Sequence, residues 1–128
     1  MYQVLSQRPG VKTLIFCTTI KSLHELAYYL EERKIQTITL HSELHKQARI
    51  KNYELFRDGQ MNLLLSTDLG ARGLDIPHLD RVINYDFPLT TCDYLQRAGR
   101  TGRAVIINIL RESKAKLLLF ITRKTQPL

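Results

Sequence analysis

The segment QRAGRTGR, residues 96 to 103, sets arginines at 97, 100 and 103 with glycines at 99 and 102. Guanidinium groups repeated at this spacing suit phosphate, because a planar fork matches two phosphoryl oxygens at once. A solvated basic helix end has the same composition, so the segment needs context. A second segment, STDLGARGLDIP at 66 to 77, follows an apolar run. Thr67 offers a hydroxyl and backbone amides. Gly70 and Gly73 would let the backbone approach a ligand closely. Arg72 adds positive charge, Asp75 has a carboxylate suited to ribose hydroxyls, and Pro77 ends the loop. Read alone, the stretch is also a Gly-rich loop in which Asp68 caps a turn of helix.

The elements that must hold these residues follow from the apolar pattern. VKTLIF (11–16) reads as a buried strand after a Pro9-Gly10 turn, and SLHELAYYLEERK (22–34) as a helix with Leu23, Leu26, Ala27 and Leu30 on one face. Thr19 is placed to cap that helix. IQTITL (35–40) is β-branched and predicts a second strand; LHKQARIKNYELFRDG (44–59) predicts a helix buried through Leu44, Ala48, Leu55 and Phe56 and ended by Gly59. MNLLLS (61–66), part of DRVINYD (80–86) and AVIINIL (104–110) predict further strands. TTCDYLQRA (90–98) predicts a short helix capped by Thr90 or Thr91, and SKAKLLLFITR (113–123) is compatible with either a helix or a strand. Alternation with short connections implies an α/β fold with a mainly parallel sheet flanked by helices. Ligands bind such sheets beyond the carboxyl ends of the strands. Thr18 and Thr19, His41 and Ser42, and Thr67 and Asp68 all fall there.

Composition is consistent with this. The chain has 128 residues, 44% hydrophobic and 24% charged, enough for one domain with a core. Lysine and arginine number 19 against 12 acidic residues, a formal charge of +7 that favours a polyanionic partner. Cys17 and Cys92 form no C-x-x-C pair, which points away from a zinc or dithiol site and towards a reducing, intracellular setting. No apolar stretch approaches the ~20 residues of a membrane span.

Taken in order, STDLGARGLDIP, VINYDFP (82–88) and DYLQRAGRTGRA (93–104) resemble the DEAD-box ATP-dependent RNA helicases. The resemblance is to their C-terminal, second RecA-like domain. LIFCTT (14–19) and LHSELHKQAR (40–49) fall where earlier motifs of that domain lie, so the likeness covers about 11–110 of a single domain, 1–128. It implies a RecA-like three-layer sandwich. It also implies that Arg100 and Arg103 reach the γ-phosphate of ATP across a cleft, that Gly73 and Asp75 lie at the ribose, and that Thr19, Arg49, Thr67 and Asp68 meet the RNA backbone. Gln96 and Arg97 would couple the two domains, with Arg97 supporting the arginine motif. Phe16 is expected in the core and, by the same resemblance, near that motif. ATP with Mg²⁺ is the implied cofactor, the metal being held mainly by a first RecA-like domain. That domain and RNA are the implied partners, and the isolated domain is expected to be monomeric and inactive.

The chain departs from the family pattern in four ways. Gln96 stands where the family usually has histidine, and it cannot carry a proton charge. Ala104 runs directly into Val105, where the family continues into a Gly-rich polar loop. Ser42 replaces a common glycine. Neither a G-x-x-x-x-G-K-[ST] nor a D-E-A-D string occurs in this chain, so the groups that bind Mg²⁺ and cradle phosphate are expected elsewhere. A module that binds RNA or protein without turnover is the alternative reading, and Gln96 is what speaks for it. A DNA helicase is a third. His41 and His45 are four apart but predicted on different elements, so no metal centre is expected. His24 has no partner in sequence. Tyr28 and Tyr29 are expected to be partly buried.

Overall fold

The computed structural model describes residues 10–75, 79–92 and 97, together with the backbone of 105–111 and 117–123. These residues form a six-stranded sheet in the order β2-β3-β1-β4-β5-β6. The strands are β1 (Thr13–Cys17), β2 (Ile38–Leu40), β3 (Leu63–Thr67), β4 (Arg81–Asn84), β5 (Val105–Arg111) and β6 (Leu117–Arg123). β1 to β5 pair in parallel, and β6 returns antiparallel to β5. The helices are α1 (Ile20–Glu32), α2 (Lys46–Arg57) and the short α3 (Asp68–Ala71).

β1 and β3 are buried along their whole length, as central strands covered on both faces must be. Successive side chains divide between two apolar layers. Ile15, Cys17, Leu63, Leu65 and Ile83 pack under α1, which contributes Leu23, Leu26 and Leu30. Leu14, Phe16, Leu64 and Val82 face the other way, against Leu40, Phe56 of α2 and Ala71 of α3. The result is the expected α/β sandwich with a mainly parallel sheet.

The differences from the sequence expectations have local causes. α1 starts at Ile20 because the Thr19 hydroxyl accepts the Ser22 N–H at 3.0 Å. It ends at Glu32, and Lys34 turns the chain away with φ of 61°. α2 starts at Lys46 rather than at residue 44, and it closes before Gly59, whose φ of 80° needs no Cβ cost. β2 is three residues long, half of the expected run. Segment 113–123 resolves as a strand at 117–123. Helical backbone appears at 91–92 and at 97.

Candidate functional site: the carboxyl edge of the sheet

Register fixes what meets at this edge. Cys17 lies opposite Thr67, Leu40 opposite Ser66, and Phe16 opposite Asn84. The residues that leave β1, β2, β3 and β4 therefore emerge side by side.

Arg97 is the most constrained of them. It is 1% exposed. Its Nε donates to Asp68 Oδ1 at 2.6 Å and its Nη2 to Asp68 Oδ2 at 2.7 Å, a two-pronged fork. Nη1 donates to the Asp86 carbonyl at 2.7 Å and to Asn84 Oδ1 at 3.3 Å. The Phe16 ring lies beneath the guanidinium, 5.0 Å from centroid to Cζ. Phe16 itself is 2% exposed, so it is a core residue and a neighbour of the arginine motif together. A charge buried in this way is tolerable because its donors are satisfied.

Thr67 and Asp68 start α3, with a division of labour that differs from the sequence reading. Thr67, not Asp68, is the cap: its hydroxyl accepts the Gly70 N–H at 3.1 Å. Asp68 is thereby left to hold Arg97. Gly70 also has another purpose. A Cβ there would stand 2.4 Å from the Leu40 carbonyl oxygen, so the close approach it permits is to β2 of this same chain, not to a ligand. Gly73 does need to be glycine for its own sake, with φ of 77° in an open turn. Asp75 follows it, exposed, its backbone carbonyl accepting the Tyr53 hydroxyl of α2. Arg72 is exposed.

On the β1 side, Thr19 is exposed at the start of α1. Asp86 braces this turn: its Oδ2 accepts the Thr18 N–H at 3.0 Å and the Ser22 hydroxyl at 2.6 Å. Thr18 returns a hydrogen bond to the Phe87 carbonyl at 3.2 Å. Sequence reasoning missed Asp86, Asn84 and Ser22. The VINYDFP string was legible, but no spacing rule says that its aspartate faces β1.

Beyond β2, His41 is 5% exposed and packs edge-on against the ring of His24, with centroids 5.2 Å apart. Its Nδ1 accepts the Glu43 N–H at 3.3 Å. Burial holds the imidazole pKa below its usual value; the His24 and Arg49 charges push the same way, and Glu43 opposes them. His24 thus has a partner that its sequence neighbours did not reveal. Arg49 is half-buried in the first turn of α2. With Leu40, Lys46, Ile50, Tyr53 and Leu74 it lines a cleft of about 220 Å³. Tyr28 is 64% exposed, contrary to expectation, whereas Tyr29 is half-buried beneath Arg33.

Among the described residues no group of three or more His, Cys, Asp or Glu could hold a metal ion. No helix of these residues is long and apolar enough to cross a membrane. Gln96, Arg100, Arg103 and the junction at Ala104 lie outside the described residues. What the edge presents is the exposed Thr19 hydroxyl, the cations Arg49 and Arg72, an exposed acid at Asp75, and a rigid mount for the chain that continues from Arg97, with Thr67 buried just behind as the cap of α3.

Comparison with known proteins agrees with this geometry. The model of the helicase conserved C-terminal domain family matches residues 1–105. DEAD-box ATP-dependent RNA helicase 39 of Arabidopsis thaliana is 38% identical over 132 aligned residues, covering 100% of this chain and 20% of the relative. Probable ATP-dependent RNA helicase DDX28 of Mus musculus is 38% identical over 110 residues, covering 80% of this chain and 20% of the relative. The chain thus spans about a fifth of the length of these curated relatives. Among solved structures, S. cerevisiae Dbp5 bound to RNA and ADP BeF3 superposes with a TM-score of 0.78 at 30% identity, over 87% of this chain and 31% of that one. The E. coli DEAD-box protein SrmB bound to RraA gives 0.73 at 33% identity, over 83% and 64%. The sheet is that of a RecA-like helicase domain, and the chain belongs to the helicase conserved C-terminal domain family, in the form that DEAD-box helicases carry.

Proposed function

We propose that this domain supplies one wall of an ATP site and part of an RNA track in a DEAD-box RNA helicase that separates short duplexes locally. Arg97 carries the reading. Its fork to Asp68 and its bonds to Asn84 and Asp86 give the arginine segment a fixed origin. Arg100 and Arg103 follow in sequence and are assigned to the γ-phosphate, where guanidinium forks complement charge spread over phosphoryl oxygens. The exposed Asp75, beyond the Gly73 turn, is assigned to the ribose. Thr19, Arg49 and Thr67 are assigned to RNA phosphates, which would position a strand without reading its sequence. Asp68, already committed to Arg97, serves this track by orientation rather than by contact.

Mg²⁺ would be held mainly by the first RecA-like domain; when bound it neutralises charge between the phosphates. RNA and that domain are the proposed partners, and Gln96 is assigned to the coupling between the two domains. Closure of the domains on ATP and RNA would bring the arginines to the phosphate, and hydrolysis would release them. The test is RNA-stimulated ATP turnover of the full-length protein carrying Arg100→Ala or Arg103→Ala. Arginine fingers contribute about 10³–10⁵ in rate in related nucleotidases, so turnover should fall to background with the fold intact. Turnover unchanged in both variants would remove the assignment.

A further inference from the structure

The carboxylate and the carbonyl of one residue, Asp86, serve opposite sides of the edge. Oδ2 holds the Thr18 N–H and the Ser22 hydroxyl, and so sets the turn that presents Thr19. The backbone carbonyl of the same residue holds Arg97. The Tyr85 and Asp86 amides both donate to the Phe16 carbonyl, at 3.0 and 3.4 Å, which ties the joint to β1. Three segments thus converge on residues 84–87: the start of α1, the end of β1, and Arg97, which in turn holds Asp68 at the start of α3. Here the residue touching the turn at Thr19 is also the residue touching the arginine segment.

We infer that Asp86 is a positioning residue that couples the RNA-facing start of α1 to the arginine segment, so that a shift at either is felt at the other. The inference rests on the functional reading above. Packed, hydrogen-bonded elements transmit such shifts because they are not continuously deformable. Asp86 would touch neither ATP nor RNA.

Two measurements on the full-length protein test this. The first is steady-state ATPase over a range of RNA and of ATP for Asp86→Ala, Asp86→Asn and Ser22→Ala. Misplacement of a reacting group commonly lowers turnover by more than an order of magnitude. Asp86→Ala should therefore lower RNA-stimulated kcat by about tenfold or more and raise half-saturating RNA by about threefold, with the KM for ATP little changed. Asp86→Asn keeps one acceptor and should recover part of both losses. Ser22→Ala should move both values in the same direction by less. The second is amide hydrogen exchange, which does not depend on turnover. Asp86→Ala should speed exchange at 17–23 and also across 97–103. Faster exchange at 17–23 alone, or a folded Asp86→Ala protein whose kcat and RNA half-saturation stay near wild type, would overturn the inference. If the wild type shows no RNA-stimulated turnover, the helicase reading fails, and the exchange result alone then decides whether the two segments are linked.

Discussion

Arg97 and Arg100 look interchangeable in QRAGRTGR, and it is the burial of Arg97 that fixes what Arg97 can do. Arg97 offers its donors to Asp68, Asn84 and Asp86 and keeps 1% of its surface exposed, so it cannot reach out to a ligand. The planar fork is essential to this, since a lysine ammonium is a single point charge with no matching geometry. Arg97→Lys should destabilise the protein by about 2 kcal/mol, the scale of hydrogen bonds to charged groups lost from a buried site. Urea unfolding measures it, and an unchanged midpoint would show that the fork is dispensable. His41 gives a second prediction at this scale. Its folded-state pKa is depressed below 6.5 by burial and by the neighbouring His24 and Arg49 charges. The unfolded chain therefore binds the proton more readily, and stability falls as pH drops below 6.5 towards the folded value. The unfolding midpoint of the wild type should drop more than that of His41→Gln between about one unit above and one unit below the ordinary histidine pKa. Parallel losses in both proteins would assign the pH dependence elsewhere.

At the scale of elements, α3 shows how a four-residue helix can be indispensable. It turns the chain off β3, supplies Asp68, and lies so close to β2 that a Cβ on Gly70 would meet the Leu40 carbonyl at 2.4 Å. Gly70→Ala should cost about 1–3 kcal/mol by forcing α3 off the sheet, and it should loosen Arg97 through Asp68. Thermal unfolding reads the first effect; a midpoint equal to wild type would mean that the backbone yields freely. Much of the element order was legible in the sequence, because buried parallel strands read as continuous apolar runs and α1 as a stripe of leucines. Thr19 as the cap of α1 was legible for the same reason, since its signal is local. The swap between Thr67 and Asp68 was not, because adjacent residues of cap type differ only in what lies across the sheet. The His24–His41 contact and the Asp86 brace were hidden likewise, being made between segments remote in sequence. Segment 117–123 was ambiguous because an unbroken apolar run fits a strand and a helix equally well.

For the whole molecule, the edge reads as half of a machine. The described residues provide hydroxyls, cations and an acid arranged around a rigid joint, and a net charge of +7 favours a polyanion. The function proposed above sets a second domain opposite this edge, and Gln96, in place of the histidine usual in the family it resembles, makes the proposed coupling between the two the point to test. The most direct test is a strand-release assay on the full-length protein, with a short RNA duplex, followed alongside ATP hydrolysis. The account predicts release that requires ATP and Mg²⁺, with hydrolysis stimulated by RNA. Tight RNA binding with neither release nor stimulated hydrolysis would contradict it and leave a binding module.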